Sequence, residues 1–451
     1  ESFKRIWEWI LADTASDPDR CLLLAKSLRN VGRDQFLAGL AVLRKADRSQ
    51  WTDEQKRLLW DELRDLHTQH ENHREQVWAM PVDMLNALDE LVRNVEPNDA
   101  LSKVRWVFDG AHQFPGESVE EYERVHAEVT RSAAQYILAN GGVDGVKILA
   151  QQVDDPWQLG HAVGTVLEVD ASETELLVWA VPSLDDKTKR FGMSLISALF
   201  VRKGWDWVER IFATAFWKRW NASERGVFLS SLPFTRRTWD SAERSGLEVE
   251  AAYWKSVHPW GKQNEENMLY AAAKFMEHGK PLRSLDNIFR NGKGEDCTAS
   301  SAVIADVMAA CVKTYSEERR GGHSDYLITQ AHKVLTQRMD IDPQRIALIE
   351  WAFFSLLERQ KLVLYTEMAN APEPFAEILV FMFKPVNEPD RQPTEQEAGL
   401  ARRAYEVLKG WKGMPAMKPD GTIDGDALKT WYREAKAAVE AKGRQWNDYH
   451  F

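Results

Sequence analysis

No apolar run in this chain approaches the roughly 18 residues that carry a helix across a bilayer. The amino terminus does not read as a secretory signal either. Together these absences lead us to expect a soluble, cytoplasmic chain that makes no membrane contact. Cysteine is scarce: Cys21, Cys297 and Cys311 are the three in 451 residues. They are odd in number, widely spaced and outside any CxxC pair, which argues against a disulfide framework and against a cysteine zinc site. Ordinary thiols in a reducing compartment are expected.

Several chemical signatures are missing as well. There is no GxxxxGK[ST] phosphate loop, no GxGxxG, no GxSxG elbow and no kinase motif set. Catalysis by this chain is therefore not expected, and no cofactor is implied, although enzymes can scatter their residues widely along a sequence. Period-two strand patterns bounded by hairpin turns are essentially absent too. Basic charge is in deficit: 58 Lys and Arg stand against 69 Asp and Glu, a net charge of −11. Such a chain repels a phosphate backbone, so non-specific nucleic-acid binding is not expected.

What is present is helix. Apolar residues recur three and four apart, as in Trp60, Leu63 and Leu66, and we read that helix through to Trp78. Punctuation is frequent: Asp17-Pro18, Glu96-Pro97, Asp155-Pro156, Asp342-Pro343 and Asn387-Glu388-Pro389 read as helix starts, since proline suits the first helical turn. The apolar LLVWAVP at 176–182 reads as a buried helix end stopped by Pro182. Roughly 20 helices are expected. Four segments share a helix–glycine–helix form, at 27–43, 137–153, 199–215 and 274–289. Gly32, Gly141 with Gly142, Gly204 and Gly279 take the corner, where glycine can adopt the left-handed conformation that ends one helix. Their spacing is irregular and sets no fixed period, but such units favour an all-α fold, an irregular α-solenoid of helix–turn–helix repeats. The 19 tryptophans fit it mainly as core wedges. The polar stretch VNEPDRQPTEQE at 386–397 reads as a linker, followed by helices near 395–411 and 426–442. We divide the chain into an N-terminal helical-repeat segment (1–110), a central array (111–385) and a linker with a C-terminal helical segment (386–451).

Three stretches resemble chemistry. His67, His70 and His73 stand three residues apart, so on a helix neighbouring rings could share a metal. HExxH is not formed, no third ligand set is identifiable, and Asp61, Glu62, Asp65 and Glu71 make the surroundings a polar face; a plain helix is favoured. In PDGTIDGDALKTW, Asp420, Asp424 and Gly425 fit positions of a calcium loop, but Thr422 and Trp431 stand where ligands belong, so Asp424 is expected to cap the next helix. Pro419-Asp420 with Glu434-Ala435-Lys436 imitates a nuclease signature, with the last three on a helix rather than a strand. The doublets Arg236-Arg237, Arg319-Arg320 and Arg402-Arg403 read as solvated surface.

Longer phrases carry a resemblance. HREQVWAMPVDMLNALDELVRNVEPND (73–99), VRWVFDG (104–110), TWDSAERSGLEVEAAYWKSVHPW (238–260), KFMEHGKPLRSLDNI (274–288), LIEWAFFSLLE (348–358) and the closing MPAMKPDGTIDGDALKTWYREAK (414–436) resemble the tails of large bacterial STAND-type antiphage ATPases. In that class an effector and a nucleotide-binding module precede a carboxy-terminal helical-repeat sensor of TPR- or HEAT-like type. The resemblance implies that this chain, which begins at Glu1 rather than Met, is the sensor arm of a longer protein, with ATPase, effector and any self-association lying outside it. It implies a phage structural or packaging protein as partner. Trp205, Trp207 and Arg237, near the repeat corners, are the residues we take as partner-binding. The alternatives are a helical-repeat scaffold for host proteins, or a helical metal-dependent hydrolase using His67, His70 and His73.

Overall fold

The computed structural model describes residues 2–14, 17–109, 118–291, 296–318, 322–357, 362–388, 390–412 and 414–446. Two compact units divide the chain at 233/234. The first holds α1 (Ser2–Thr14), α2 (Pro18–Ser27), α3 (Arg33–Lys45), α4 (Asp53–Glu71), α5 (Val82–Asn94), α6 (Ala100–Arg105), α7 (Val119–Gln152), α8 (Pro156–Val166), α9 (Asp170–Ala180), α10 (Asp186–Ala213), α11 (Ala215–Arg219) and α12 (Ala222–Ser230). The second holds α13 (Arg236–Arg244), α14 (Leu247–Ser256), α15 (Glu265–Glu277), α16 (Pro281–Asn291), α17 (Ser301–Glu318), α18 (Gly322–Arg338), α19 (Pro343–Ala352), α20 (Leu364–Asn370), α21 (Pro372–Leu379), α22 (Glu395–Gly410) and α23 (Gly425–Ala441). Strand among the described residues amounts to one antiparallel pairing of Lys384–Pro385 with Arg444–Gln445 and a single bridge between Met417 and Ile423. The fold is all-α and built of helical repeats. No helix among the described residues is long and apolar enough to cross a membrane.

The proline signals work where an aspartate precedes them. Asp17, Asp155 and Asp342 each cap a helix whose first turn carries the proline, and each side chain accepts backbone N–H groups that the helix cannot satisfy internally. Pro97 differs: α6 starts three residues later, capped by Asp99. Pro389 lies outside the described residues, and α22 opens instead with a reciprocal capping box between Thr394 and Glu397. At the other end of the punctuation, α9 stops at Ala180, two residues before Pro182.

Three of the four expected glycine corners are built with positive φ. Gly142 and Gly204 share nearly the same angles, φ 62 and ψ −161 against φ 66 and ψ −163, and each breaks a long helical run, α7 or α10, into two. That region of backbone space is open to glycine almost alone. Gly279 at φ 68 ends α15, where the Lys280 N–H reaches back to the Phe275 carbonyl at 2.7 Å. Gly32 corrects the expectation: at φ −72 and ψ 169 it is extended, and simply precedes α3.

Glycine has a second use in α8. A Cβ at Gly160 would overlap the Phe191 carbonyl oxygen of α10 and lie 3.1 Å from the Leu195 nitrogen. At Gly164 it would come within 2.6 Å of the Ala198 Cβ. One turn of α8 therefore touches α10 backbone to backbone.

The cores follow the tryptophans. Eleven of the 19 are buried and four, Trp9, Trp78, Trp157 and Trp260, are well exposed. In the first unit Trp7, Trp51 and Trp60 pack with Leu24, Phe36 and Leu88. In the second, Trp239 and Trp254 (ring centroids 5.8 Å apart) meet Phe234 and Phe275. Buried charge is paired. The Glu173 carboxylate accepts from the Trp207 indole at 2.6 Å and from Lys203, and Glu250 takes Lys274 at 2.7 Å. Burial opposes the charge on Lys274, but its carboxylate partners win and hold the ammonium above the usual lysine range.

The polar stretch at 386–397 leads into α22 and is no boundary. The chain beyond it returns to the second unit: α23 lies on α21, with the rings of Phe375 and Trp431 4.8 Å apart, and Trp446 stacks on Phe383 at 5.2 Å. The 110/111 division falls on residues outside the described ones.

Candidate functional site

The three histidines do not share one helix. α4 ends at Glu71, so His67 and His70 are helical while His73 lies in the turn that follows, a correction to the helix we read through Trp78. The His73 Nδ1–H donates to the Gln69 carbonyl at 2.8 Å, and the His70 Nδ1 accepts the Met80 N–H at 3.1 Å. Both rings flank Trp78, with centroids 5.5 and 5.1 Å away. His70 therefore closes the 72–80 loop with the lone pair a metal would need. Among the described residues no group of three or more His, Cys, Asp or Glu side chains is placed to hold a metal ion.

Burial first, then the nearby Arg29 and His73 charges, hold His70 below the ordinary imidazole range. Its neutral form is thus favoured by folding. The loop contact is fully present above the unfolded-state value of about 6.5 and is lost as pH falls through it toward the lower folded value. Hydrogen exchange of the 72–82 segment should show Met80 protection at pH 7.5 dropping on acidification. A His70→Phe variant should have low, pH-independent protection. Equal pH dependence in both proteins would contradict this role.

The calcium-like turn is consumed by local bonds. Asp424 caps α23, accepting the Asp426 and Ala427 N–H groups at 3.1 Å, as expected. Asp420 accepts the Thr422 N–H at 2.9 Å and its hydroxyl at 2.6 Å. Lys418 stands 3.6 Å from Asp424, and Trp431 is buried in the core. Glu434 and Lys436 are on α23, a helix rather than a strand.

Of the three residues taken as partner-binding, Trp205 and Trp207 lie on α10 in the first unit and Arg237 on α13 in the second. Trp207 is 2% exposed, with its indole N–H committed to Glu173, so it supports α10 rather than meeting a partner. Trp205 is half-buried, edge-on to Phe200 at 5.5 Å. Arg237 is exposed on α13, in the second unit, beside Arg236, which pairs with Asp240 at 2.8 Å and covers the Tyr270 ring at 3.8 Å.

A concavity with both charge and apolar surface lies in the second unit. It encloses about 1080 Å³ between α17, α19, α21, α22 and α23. One lip carries Val312 and Leu348, which are 46% and 40% exposed. Two of its cations are paired: Arg345 with Asp306, and Lys442 with Glu377. Arg403 is different. One of its N–H groups donates to the Trp351 carbonyl at 3.3 Å, and the guanidinium stands 5.4 Å above the Trp351 ring. Among the described residues no carboxylate pairs with it, and burial alone pulls it below the ordinary arginine range. Lys313, exposed on α17, has no carboxylate partner either among the described residues. Sequence reading passed over Arg403 as half of a solvated doublet. Its placement depends on which helix α22 meets, and no local pattern records that.

Comparison with known proteins yields no matching family model, no curated protein and no solved structure.

Proposed function

We propose that this chain is a protein-recognition module, the ligand-sensing helical-repeat arm of a bacterial antiviral protein of the STAND type. It binds a phage structural or packaging protein and thereby biases an ATPase and effector outside this chain toward their active assembly. Such a bias requires tighter binding to the active state. The observation that carries the reading is the phrase-level resemblance combined with where the phrases lie. Val107 and Phe108 of VRWVFDG, Trp239 and Trp254 of the 238–260 phrase, and Ile349, Trp351 and Phe353 of LIEWAFFSLLE are all buried. These stretches build the scaffold, whereas Val77 and Trp78 of the 73–99 phrase and Met414 and Met417 of the 414–436 phrase are exposed and open to a ligand. Stacked helical repeats suit this division, because each repeat packs on its neighbours and leaves its outer residues to recognition.

The test is a capture experiment with the full chain as bait in infected and uninfected bacterial lysates, read by mass spectrometry. One phage protein held only from the infected lysate, and rebinding when purified, is expected. The same host protein from both lysates would replace this reading with a scaffold. Zinc retained stoichiometrically through dialysis would revive the metal-hydrolase reading.

A further inference from the structure

We infer that the α17–α19–α21–α22–α23 cleft takes an extended peptide segment of a protein partner, with an acidic side chain seated on Arg403 and an adjoining apolar side chain against Val312 and Leu348. The inference rests on the recognition reading above and names the chemistry of the partner.

The charge in the cleft is imbalanced. A guanidinium half-removed from water normally stands beside a carboxylate; Arg57, for example, has Glu54 at 2.7 Å. Among the described residues Arg403 has only the Trp351 carbonyl and the face of the Trp351 ring. That arrangement fixes the planar fork and leaves its remaining N–H groups unspent on any described carboxylate. A carboxylate from outside would meet two parallel donors, the geometry arginine provides and lysine does not. Lys313 on α17 adds a second cation to the cleft that no described carboxylate pairs with.

The surroundings select the kind of anion. Glu373, exposed and without an ion pair among the described residues, lines the cleft, as does Asp342. A nucleic-acid strand, which presents a phosphate at every step, would meet these carboxylates directly. A peptide with one acidic side chain would not. The volume, about 1080 Å³ and open to solvent, exceeds what a single small ion fills. Exposed Val312 and Leu348 supply the apolar contact that a free anion cannot use. Charge and apolar lips together describe a peptide groove.

The experiment selects a random, ribosome-displayed peptide library on the full chain and measures the recovered peptides by fluorescence anisotropy. Enrichment of an Asp or Glu next to an apolar residue is expected, with binding weakened by about 30-fold or more in Arg403→Gln. Lys313→Glu, a change at an exposed lip, should weaken binding severalfold with an unchanged melting curve, and it keeps the test decisive should Arg403→Gln not fold. Recovered peptides without acidic residues, or binding indifferent to both variants, would overturn the proposal. So would competition by millimolar inorganic phosphate as complete as that by the unlabelled peptide, which would mark a generic anion site. The two levels separate cleanly. Capture of a phage protein by wild type and Lys313→Glu alike refutes the cleft while sparing the sensor reading. Acidic peptides that bind through Arg403, with no phage protein captured, refute the sensor and spare the cleft.

Discussion

Replacing Gly160 by alanine is expected to destabilise the first unit by about 2–3 kcal/mol. Local reasoning gives the opposite sign. Gly160 lies inside α8, and alanine in a helix interior is favoured over glycine by about 1 kcal/mol through backbone entropy. The tertiary contact reverses this, because the new Cβ would overlap the Phe191 carbonyl oxygen, and backbone cannot yield as a flexible side chain does. α8 must shift away from α10, giving up close packing along both helices. Gly399 is the control: it lies inside α22 with nothing within 4 Å of its Cβ position. Gly399→Ala should therefore gain about 0.5–1 kcal/mol. Guanidinium denaturation followed by tryptophan fluorescence measures both. Stabilisation of both variants would mean that the α8–α10 approach is wrong.

Removing the carboxylate of Glu350 should cost the second unit about 2–5 kcal/mol. Glu350 is fully buried on α19. One oxygen lies 2.7 Å from His332 Nε2 on α18, and since a carboxylate can only accept, that nitrogen carries the proton. The other oxygen accepts the Leu364 N–H at 2.7 Å, at the start of α20. A single side chain thus joins three helices. Glu350→Ala leaves the buried Leu364 N–H and the part-buried His332 N–H without acceptors, each worth about 1–3 kcal/mol. Glu350→Gln keeps one acceptor and sets an amide N–H group against the other donor, so an intermediate loss is expected. A loss below about 0.5 kcal/mol in the alanine variant, in the range of ordinary surface substitutions, would show that the junction contributes little.

The two cases explain what could be read in advance. Glu350 sits between Ile349 and Trp351 in LIEWAFFSLLE, where a charge flanked by apolar residues already signals a buried, partnered group, but its partners are 18 and 14 residues away. Gly160 gives less warning, since a helical glycine reads locally as a weakness. The histidine triplet misled for a related reason. Spacing of three suggests one face, yet the helix stops at Glu71 and His73 instead turns back to Gln69. Asp424 was legible because capping is local: its acceptors serve the N–H groups two and three residues ahead.

By itself the sequence determined the helical class, the aspartate–proline starts at Asp17, Asp155 and Asp342, and the glycine breaks at Gly142, Gly204 and Gly279. These depend on interactions within a few residues, where periodicity, caps and permitted backbone angles are written directly in residue order. Only the tertiary structure decided that the chain divides at 233/234, that Trp207 is internal, that α8 touches α10 through glycine, and that Arg403 lines a cleft with no described carboxylate paired to it. Each of those depends on which distant helix a residue meets. Packing between helices is set by shape and burial summed over many side chains, and no local pattern encodes it.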